Sequence, residues 1–328
     1  MENSNILDEE INKATDILNK ISAYYSTRIV GQEQLQKSLL ISLISNGHIL
    51  IESVPGLAKT TAAKTLTDAV NGKFARIQCT PDLLPSDIMG SQIFNYTTNT
   101  FETKLGPIYA NFVLLDEINR SSAKTQSAML EAMQEHQTTI GGETYKLPEV
   151  FIAIATQNPI EQEGTYMLSE AQLDRFIIKE QLNYPSINEE IEILNRIENN
   201  VFETSEAVLN LDDVKFLQNL SKKVYIDHAV KQYIVNIIYA TRNPQKALPP
   251  NLAKYVSMGS STRGAISFMQ ASKALALIRG RKYVTPDDVK DLRYSILRHR
   301  IALNYSAVAD NVSVEQIIDA LVNNIKTP

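Results

Sequence analysis

One cysteine, Cys79, in 328 residues excludes an intramolecular disulfide and fits a chain that works in a reducing compartment. It reads as a small apolar residue on a strand. Nowhere do about 18 apolar residues run together, so no membrane-spanning helix is expected. The polar, acidic start from Met1 to Asp8 does not read as a targeting segment. A cytoplasmic protein is therefore expected. Basic residues are in deficit, with 32 Lys and Arg against 37 Asp and Glu and a net charge of −5. That balance argues against a broad nucleic-acid-binding face. The four histidines, His48, His136, His228 and His299, are dispersed, no two at i+3 or i+4, and no zinc site is expected. What remains is an ordinary globular composition, 44 % hydrophobic and 21 % charged, at a length that favours two domains.

Glycine is absent from two places where phosphate chemistry would favour it. Ser53 to Thr60 reads Ser-Val-Pro-Gly-Leu-Ala-Lys-Thr, after the apolar run His48 to Ile51 and before a helical stretch. This is the pattern G-x-x-x-x-G-K-[ST] with Ser53 and Ala58 in the glycine positions and Gly56 inside. In such a loop, backbone N–H groups at a strand-to-helix turn wrap the phosphates, and the helix N-terminus adds a favourable dipole. Lys59 would lie between the β- and γ-phosphates, and Thr60 would offer its hydroxyl to Mg²⁺. A plain strand-turn-helix connection would look similar.

Phe112 to Leu115 is an apolar run ending in Asp116 and Glu117, 57 residues after Lys59 (116 − 59). A buried strand ending in two acids complements the loop: Asp116 would hold Mg²⁺ through its water shell, and Glu117 would orient or deprotonate an attacking water. Phe151 to Thr156 is another buried strand, followed by Gln157-Asn158-Pro159. An amide at Asn158 could bond both a γ-phosphate and the attacking water, or simply close a turn. Ser169 to Phe176 reads as a short helix leading into a strand to Gln181. This sets Arg175 at an element boundary, free to face a neighbouring subunit or to pair with Asp174 or Glu170.

Taken together the motifs resemble a MoxR-type ATPase of the AAA+ superfamily over nearly the whole chain. The resemblance rests on Ile29-Val30-Gly31-Gln32, Val54 to Thr61, Thr80 to Asp87, Leu115 to Arg120, Ala155 to Tyr166 and Glu170 to Phe176. It implies ATP and Mg²⁺ as cofactors, a phosphate loop of Ser53, Val54, Pro55, Gly56, Leu57, Ala58, Lys59, Thr60 and Thr61, and a base pocket lined by Val30, Gly31 and Gln32. Asn158 then resembles the sensor-one residue, Arg175 the arginine finger, and Arg263 the sensor-two arginine. The family tolerates alanine at Ala58 but normally carries glycine at Ser53. The resemblance further implies a homo-oligomeric ring, with six copies expected, and chaperone-like remodelling of client proteins, often beside a von Willebrand A domain partner. Two rival functions stay open: a nucleotide-gated interaction protein with little turnover, and a DNA-remodelling motor, which the acidic charge disfavours.

Strands alternating with helices predict an α/β fold, a parallel sheet sandwiched by helices, over residues 1–185. Within it, residues 81–107, which hold turn residues and one short β-like stretch from Ser91 to Tyr96, resemble the family's helix-2 insertion, and 138–146 reads as a hairpin through Gly141-Gly142, in the place of the family's pore-facing hairpin. Residues 186–328 show helical patterns and no strand run, predicting a small all-α lid. Thr285-Pro286-Asp287-Asp288 is a helix start, opening a helix expected over Asp287 to His299. Gly259 to Gly264 opens another, from whose first turn Arg263 could reach toward phosphate. Glu161 and Glu163 read as solvated or interface residues, and Met129 and Met133 as a core stripe.

Overall fold

In chain order the elements are α1 (Asp8–Arg28), α2 (Glu33–Ile44), β1 (Ile49–Glu52), α3 (Lys59–Ala69), β2 (Phe74–Gln78), α4 (Pro85–Met89), β3 (Gly90–Asn95) and β4 (Thr100–Leu105). There follow β5 (Phe112–Asp116), α5 (Ala123–Glu135), β6 (Gln137–Ile140), β7 (Glu143–Lys146), β8 (Ile152–Gln157), α6 (Glu170–Leu173) and β9 (Ile178–Gln181). The remainder comprises α7 (Ile187–Glu198), α8 (Leu211–Lys223), α9 (His228–Arg242), α10 (Pro244–Ala247), α11 (Pro250–Ala253), β10 (Val256–Met258), α12 (Thr262–Ile278), α13 (Pro286–Asp291), α14 (Arg293–Leu297), β11 (Ala302–Leu303), α15 (Tyr305–Ala309) and α16 (Val314–Asn324). This computed structural model describes residues 6–160, 164–199 and 207–328, so the readings at Glu161 and Glu163 lie outside the described residues.

The central sheet is parallel throughout, in the order β2-β5-β8-β1-β9. Its three inner strands, β5, β8 and β1, are apolar on both faces because both are covered. Alternate residues divide the core accordingly. Ile49, Ile51, Phe112, Leu114, Ile152 and Ile154 pack with α1 and α3 on one face, while Leu50, Val113, Leu115, Ala153 and Ala155 pack with Met129, Leu130 and Met133 of α5 on the other. The first core continues without interruption into the C-terminal helices, where α1 and α2 both meet α8 and α12. No described helix is long and apolar enough to cross a membrane.

Three expectations need correction. The C-terminal region is helical, yet β10 and β11 form a two-stranded antiparallel sheet within it, so it is not all-α. The insertion holds a short helix and a full hairpin, with β4 paired to β3, where the sequence suggested one β-like stretch. This hairpin leans on the β6–β7 hairpin, the Tyr145 hydroxyl donating to Thr103 Oγ1 at 3.0 Å. Finally, the helix expected over 287–299 breaks into α13 and α14 at Leu292.

Candidate nucleotide site

The loop after β1 shows why two glycines could be lost at unequal cost. Ser53 is not among the residues with positive φ. Its N–H continues the sheet ladder to the Gln157 carbonyl at 3.1 Å, and its hydroxyl donates to the Val54 carbonyl at 3.0 Å. Backbone geometry there makes no demand for glycine. Ala58 is different: at φ 53°, ψ 22° it caps α3 in the left-handed region, a conformation costing an L-residue about 1–2 kcal/mol. Gly56, at φ 86°, has open space around its Cα. The turn delivers Lys59, Thr60 and Thr61 to the first turn of α3, where backbone N–H groups lack helical partners.

Lys59 is half-buried and folds back on its own loop, Nζ 3.4 Å from each of the Ser53 and Val54 carbonyl oxygens. Burial pushes its pKa below the ordinary lysine value, while the charges of Asp116 and Glu117 pull it back up. An amine held mostly by carbonyls gains strongly from an added anion.

Parallel register sets the ends of β5, β8 and β1 side by side, with Leu115 level with Ala155 and Ile51 level with Thr156. Thr156 joins the two acids: its hydroxyl donates to Asp116 Oδ1 at 2.7 Å and accepts the Glu117 N–H at 2.9 Å. Asp116 Oδ2 also accepts from Arg76, Nη2 at 2.5 Å and Nε at 3.1 Å. Glu117 turns through φ 57°, and its Oε2 accepts from Gln78 at 3.2 Å and Arg120 at 3.1 Å. Asn158 is buried at the strand end and spends Oδ1 on the Ile160 N–H at 3.1 Å, a local turn that leaves the amide's NH₂ as the donor.

Beside the loop lies a cavity of about 540 Å³. Ile29, Val30, Leu57, Pro185 and Ile193 make its apolar part, and Arg28, Gln32, Thr60, Thr61 and Lys64 its polar part. Gly31 is not in the lining; it packs behind, where a Cβ would meet the Glu189 carboxylate at 1.9 Å. The sequence reading missed Arg28, Pro185 and Ile193, and also Arg76, Gln78 and Thr156. A signal existed for two of these, since Arg76 and Gln78 are polar residues at i and i+2, sharing one face at the end of β2.

Arg175 and Arg263 are brought together elsewhere. Both line a cavity of about 340 Å³ with His48, His136, Asp174 and Ile266, and that cavity shares no residue with the one beside the loop. Arg263 lines this cavity and not the one beside its own chain's loop. The simple pairing of Arg175 with Asp174 is absent. The Asp174 carboxylate accepts from Arg300 Nε at 2.7 Å and Ser261 Oγ at 2.6 Å, leaving the buried Nε of Arg175 without a partner. Arg300 is almost fully buried and also donates to the Phe176 and Ile296 carbonyls, each at 2.7 Å. Removing one member of such a buried pair costs about 3–5 kcal/mol, so the lid is firmly tied to the turn that carries Arg175.

Residues 48–178 match the model of the ATPase family associated with various cellular activities (AAA), and 251–321 match the AAA lid domain. The chain is 44 % identical to Chaperone MoxR1 of Mycobacterium tuberculosis over 92 % of its own length and 79 % of that protein's. It is 42 % identical to YeaC of Bacillus subtilis over 95 % of each. A crystal structure from Cytophaga hutchinsonii, described as a proposed ATPase, superposes with a TM-score of 0.92 at 43 % identity, covering 98 % of this chain and 97 % of that one. An AAA domain followed by an AAA lid, close identity to a MoxR chaperone along most of both chains, and the shared fold of a solved relative place this chain by sequence and by shape: it belongs to the MoxR family of AAA+ ATPases.

Proposed function

We propose that the chain hydrolyses ATP in a homo-oligomeric ring, with six copies as the family expectation, and uses the cycle for chaperone-like remodelling of client proteins. One observation carries this reading. Lys59, Asp116 and Glu117 lie within electrostatic reach of one another where the loop meets the strand ends, with Asn158 at the end of the adjoining strand, whereas Arg175 and Arg263 line a cavity of the same chain that includes none of these four. A site so divided is completed by a second copy.

The donor set fits MgATP: a desolvated amine on carbonyls, free first-turn amides, a threonine hydroxyl and a carboxylate at the strand end. Thr60 and, through water, Asp116 would hold Mg²⁺, which would supply neutralisation of phosphate charge. Lys59 binds the β- and γ-phosphates, and Val30 and Gln32 receive the base with Gly31 shaping the turn behind them. Glu117 orients the attacking water and accepts its proton, and the Asn158 NH₂ donates to the γ-phosphate or that water. Arg175 and Arg263 of a neighbour stabilise the charge that develops in transfer. In this scheme residues 1–185 hydrolyse and residues 186–328 form the lid. Clients and a von Willebrand A domain partner in the cytoplasm complete it.

The rival reading, a nucleotide-gated interaction protein with little turnover, draws on Arg76 occupying Asp116 and on Lys59 folded onto its loop. Steady-state ATPase assays decide. Turnover that falls at least ~10²-fold in Glu117→Gln with ATP binding kept supports hydrolysis; a parent without turnover in the presence of Mg²⁺ overturns it. The same ATP-loaded variant is the bait for identifying clients.

A further inference from the structure

Helix α7 is amphipathic in the wrong sense. Ile187, Ile191, Leu194 and Ile197 form one stripe and are 78, 52, 65 and 57 % exposed, and Tyr184 extends it. The opposite face is turned inward and is mostly charged. There Arg196 donates to the Ser26 carbonyl at 2.7 Å and to Glu192 at 2.7 Å, and Glu189 lies against Gly31. No residue of α7 is fully buried. A surface helix normally shows the reverse arrangement, and a contiguous exposed apolar patch marks a contact surface.

From this face we propose that α7 docks on a second copy of the chain, against the surface that carries Arg242, Arg263, Ile266 and Met258. The contact rests on the shared-site reading above and deepens it. Two observations select this occupant. The first is charge. Helix α7 presents Glu190 and Glu198 to solvent, while its Glu189 and Glu192 and its one arginine, Arg196, are engaged on the inner face. The opposing surface presents Arg242 and Arg263 in one groove and Arg175 with Arg263 in the next. Of the acids among them, Asp174 is already spent on Arg300 and Ser261, and Glu170 remains. Apolar groups accompany the arginines: Ile266 is 46 % and Met258 38 % exposed.

Position is the second observation. Pro185 and Ile193, just before α7 and on its inner side, line the cavity beside the phosphate loop. A copy delivering Arg175 and Arg263 to that cavity brings Ile266, one turn beyond Arg263 on α12, toward the lip that α7 forms. The two surfaces differ, so the contact is head-to-tail, the kind from which the ring proposed above is built. Because Ile193 of α7 lines the cavity and the turn at Gly31 packs against Glu189 on the same inner side, nucleotide in the cavity sets the helix that the neighbour grips. Assembly is therefore nucleotide-dependent.

Sedimentation velocity with Mg²⁺ and the β,γ-imido analogue of ATP tests this, comparing the full chain with Ile191→Glu/Leu194→Glu and with a Tyr305→Glu surface control. The double variant should need at least ~10-fold higher concentration to assemble. Its nucleotide affinity by calorimetry, and assembly of the control, should match the parent. Unchanged assembly of the double variant overturns the α7 contact while the ring reading survives. A parent that stays monomeric overturns the ring reading, and the contact with it. Cross-linking is independent of whether that variant folds well. Ile191→Cys mixed with Ile266→Cys should give covalent dimers on oxidation, Cys79 being fully buried. Dimers formed equally by Ile191→Cys alone would mean that α7 meets α7 and would overturn the pairing.

Discussion

Arg76 sits on the carboxylate of Asp116, Nη2 to Oδ2 at 2.5 Å, and its neighbour-but-one Gln78 reaches Glu117 at 3.2 Å. One edge strand thus restrains both acids at the end of β5. For Asp116 to hold the water shell of Mg²⁺, this ion pair must loosen. The Arg76 side chain is half-exposed, which limits the pair to about 1 kcal/mol or less. Arg76→Ala should therefore tighten Mg²⁺-dependent nucleotide binding by up to ~5-fold, read by calorimetry at several Mg²⁺ concentrations. Weaker binding in the variant would show that Arg76 helps to hold the nucleotide instead.

At the loop, the two substituted glycine positions should respond oppositely in stability. Ala58→Gly removes left-handed strain and should stabilise the chain by up to ~1 kcal/mol in urea unfolding, with binding kept. Ser53→Gly removes a hydroxyl bond from a position with ordinary φ and should leave stability or lower it slightly. Lys59→Ala should abolish ATP binding, since among the described residues no other amine takes part in the loop's carbonyl contacts. A Lys59→Ala chain that binds like the parent would dismiss the loop as a phosphate site.

Much of this site is written in local pattern. The strands around Leu50, Leu114 and Ile154 are continuous apolar runs closed by turn residues, and such runs survive folding because a parallel sheet is buried on both faces. Lys59, Thr60, Asp116 and Glu117 follow at strand ends, where the fold gathers ligands. Other features leave little trace. Strands β10 and β11 are two or three residues long, too short for any period to show. The break at Leu292 is hidden because Val289, Leu292 and Ile296 keep a helical spacing across it. Nor can a sequence say that Arg263 lines one cavity with Arg175. That depends on how the lid is docked, through a buried bond between residues 126 apart, Asp174 and Arg300.

Buried histidines should make stability fall in mild acid. His48 is buried, accepting the Ala153 N–H at Nδ1 and donating from Nε2 to the Met133 carbonyl. Burial pushes its pKa from 6.5 down to about 4, and His299 is likewise held well below 6.5 by burial. A folded pKa below the unfolded value means the fold favours the neutral ring. Its contribution is complete above about pH 6.5 and declines as pH falls toward 4, by on the order of 3 kcal/mol for His48. Urea midpoints measured from pH 7.5 to 4.5 should drop, and His48→Gln should flatten part of that slope. An identical slope in the variant would assign the acid sensitivity to other groups.

The sharpest test concerns which copy supplies each arginine. Arg175 and Arg263 share one cavity, apart from the loop, so both should serve a neighbour's nucleotide. Loss of Arg175 should lower turnover by ~10³-fold while ATP binding persists through Lys59 and Thr60. Three pairwise mixtures of inactive, subunit-exchanging variants then give a signature. Glu117→Gln with Arg175→Ala should regain activity, because one class of interface joins an intact Glu117 to intact arginines. Glu117→Gln with Arg263→Ala should regain it for the same reason. Arg175→Ala with Arg263→Ala should not, because every interface receives a defective pair. If Arg263 served its own chain, the last two outcomes would exchange: the Arg175→Ala copy would keep Glu117 and its own Arg263 and accept Arg175 from its partner. If no mixture recovers although exchange is shown, neither arginine crosses between copies, and the divided site loses its basis.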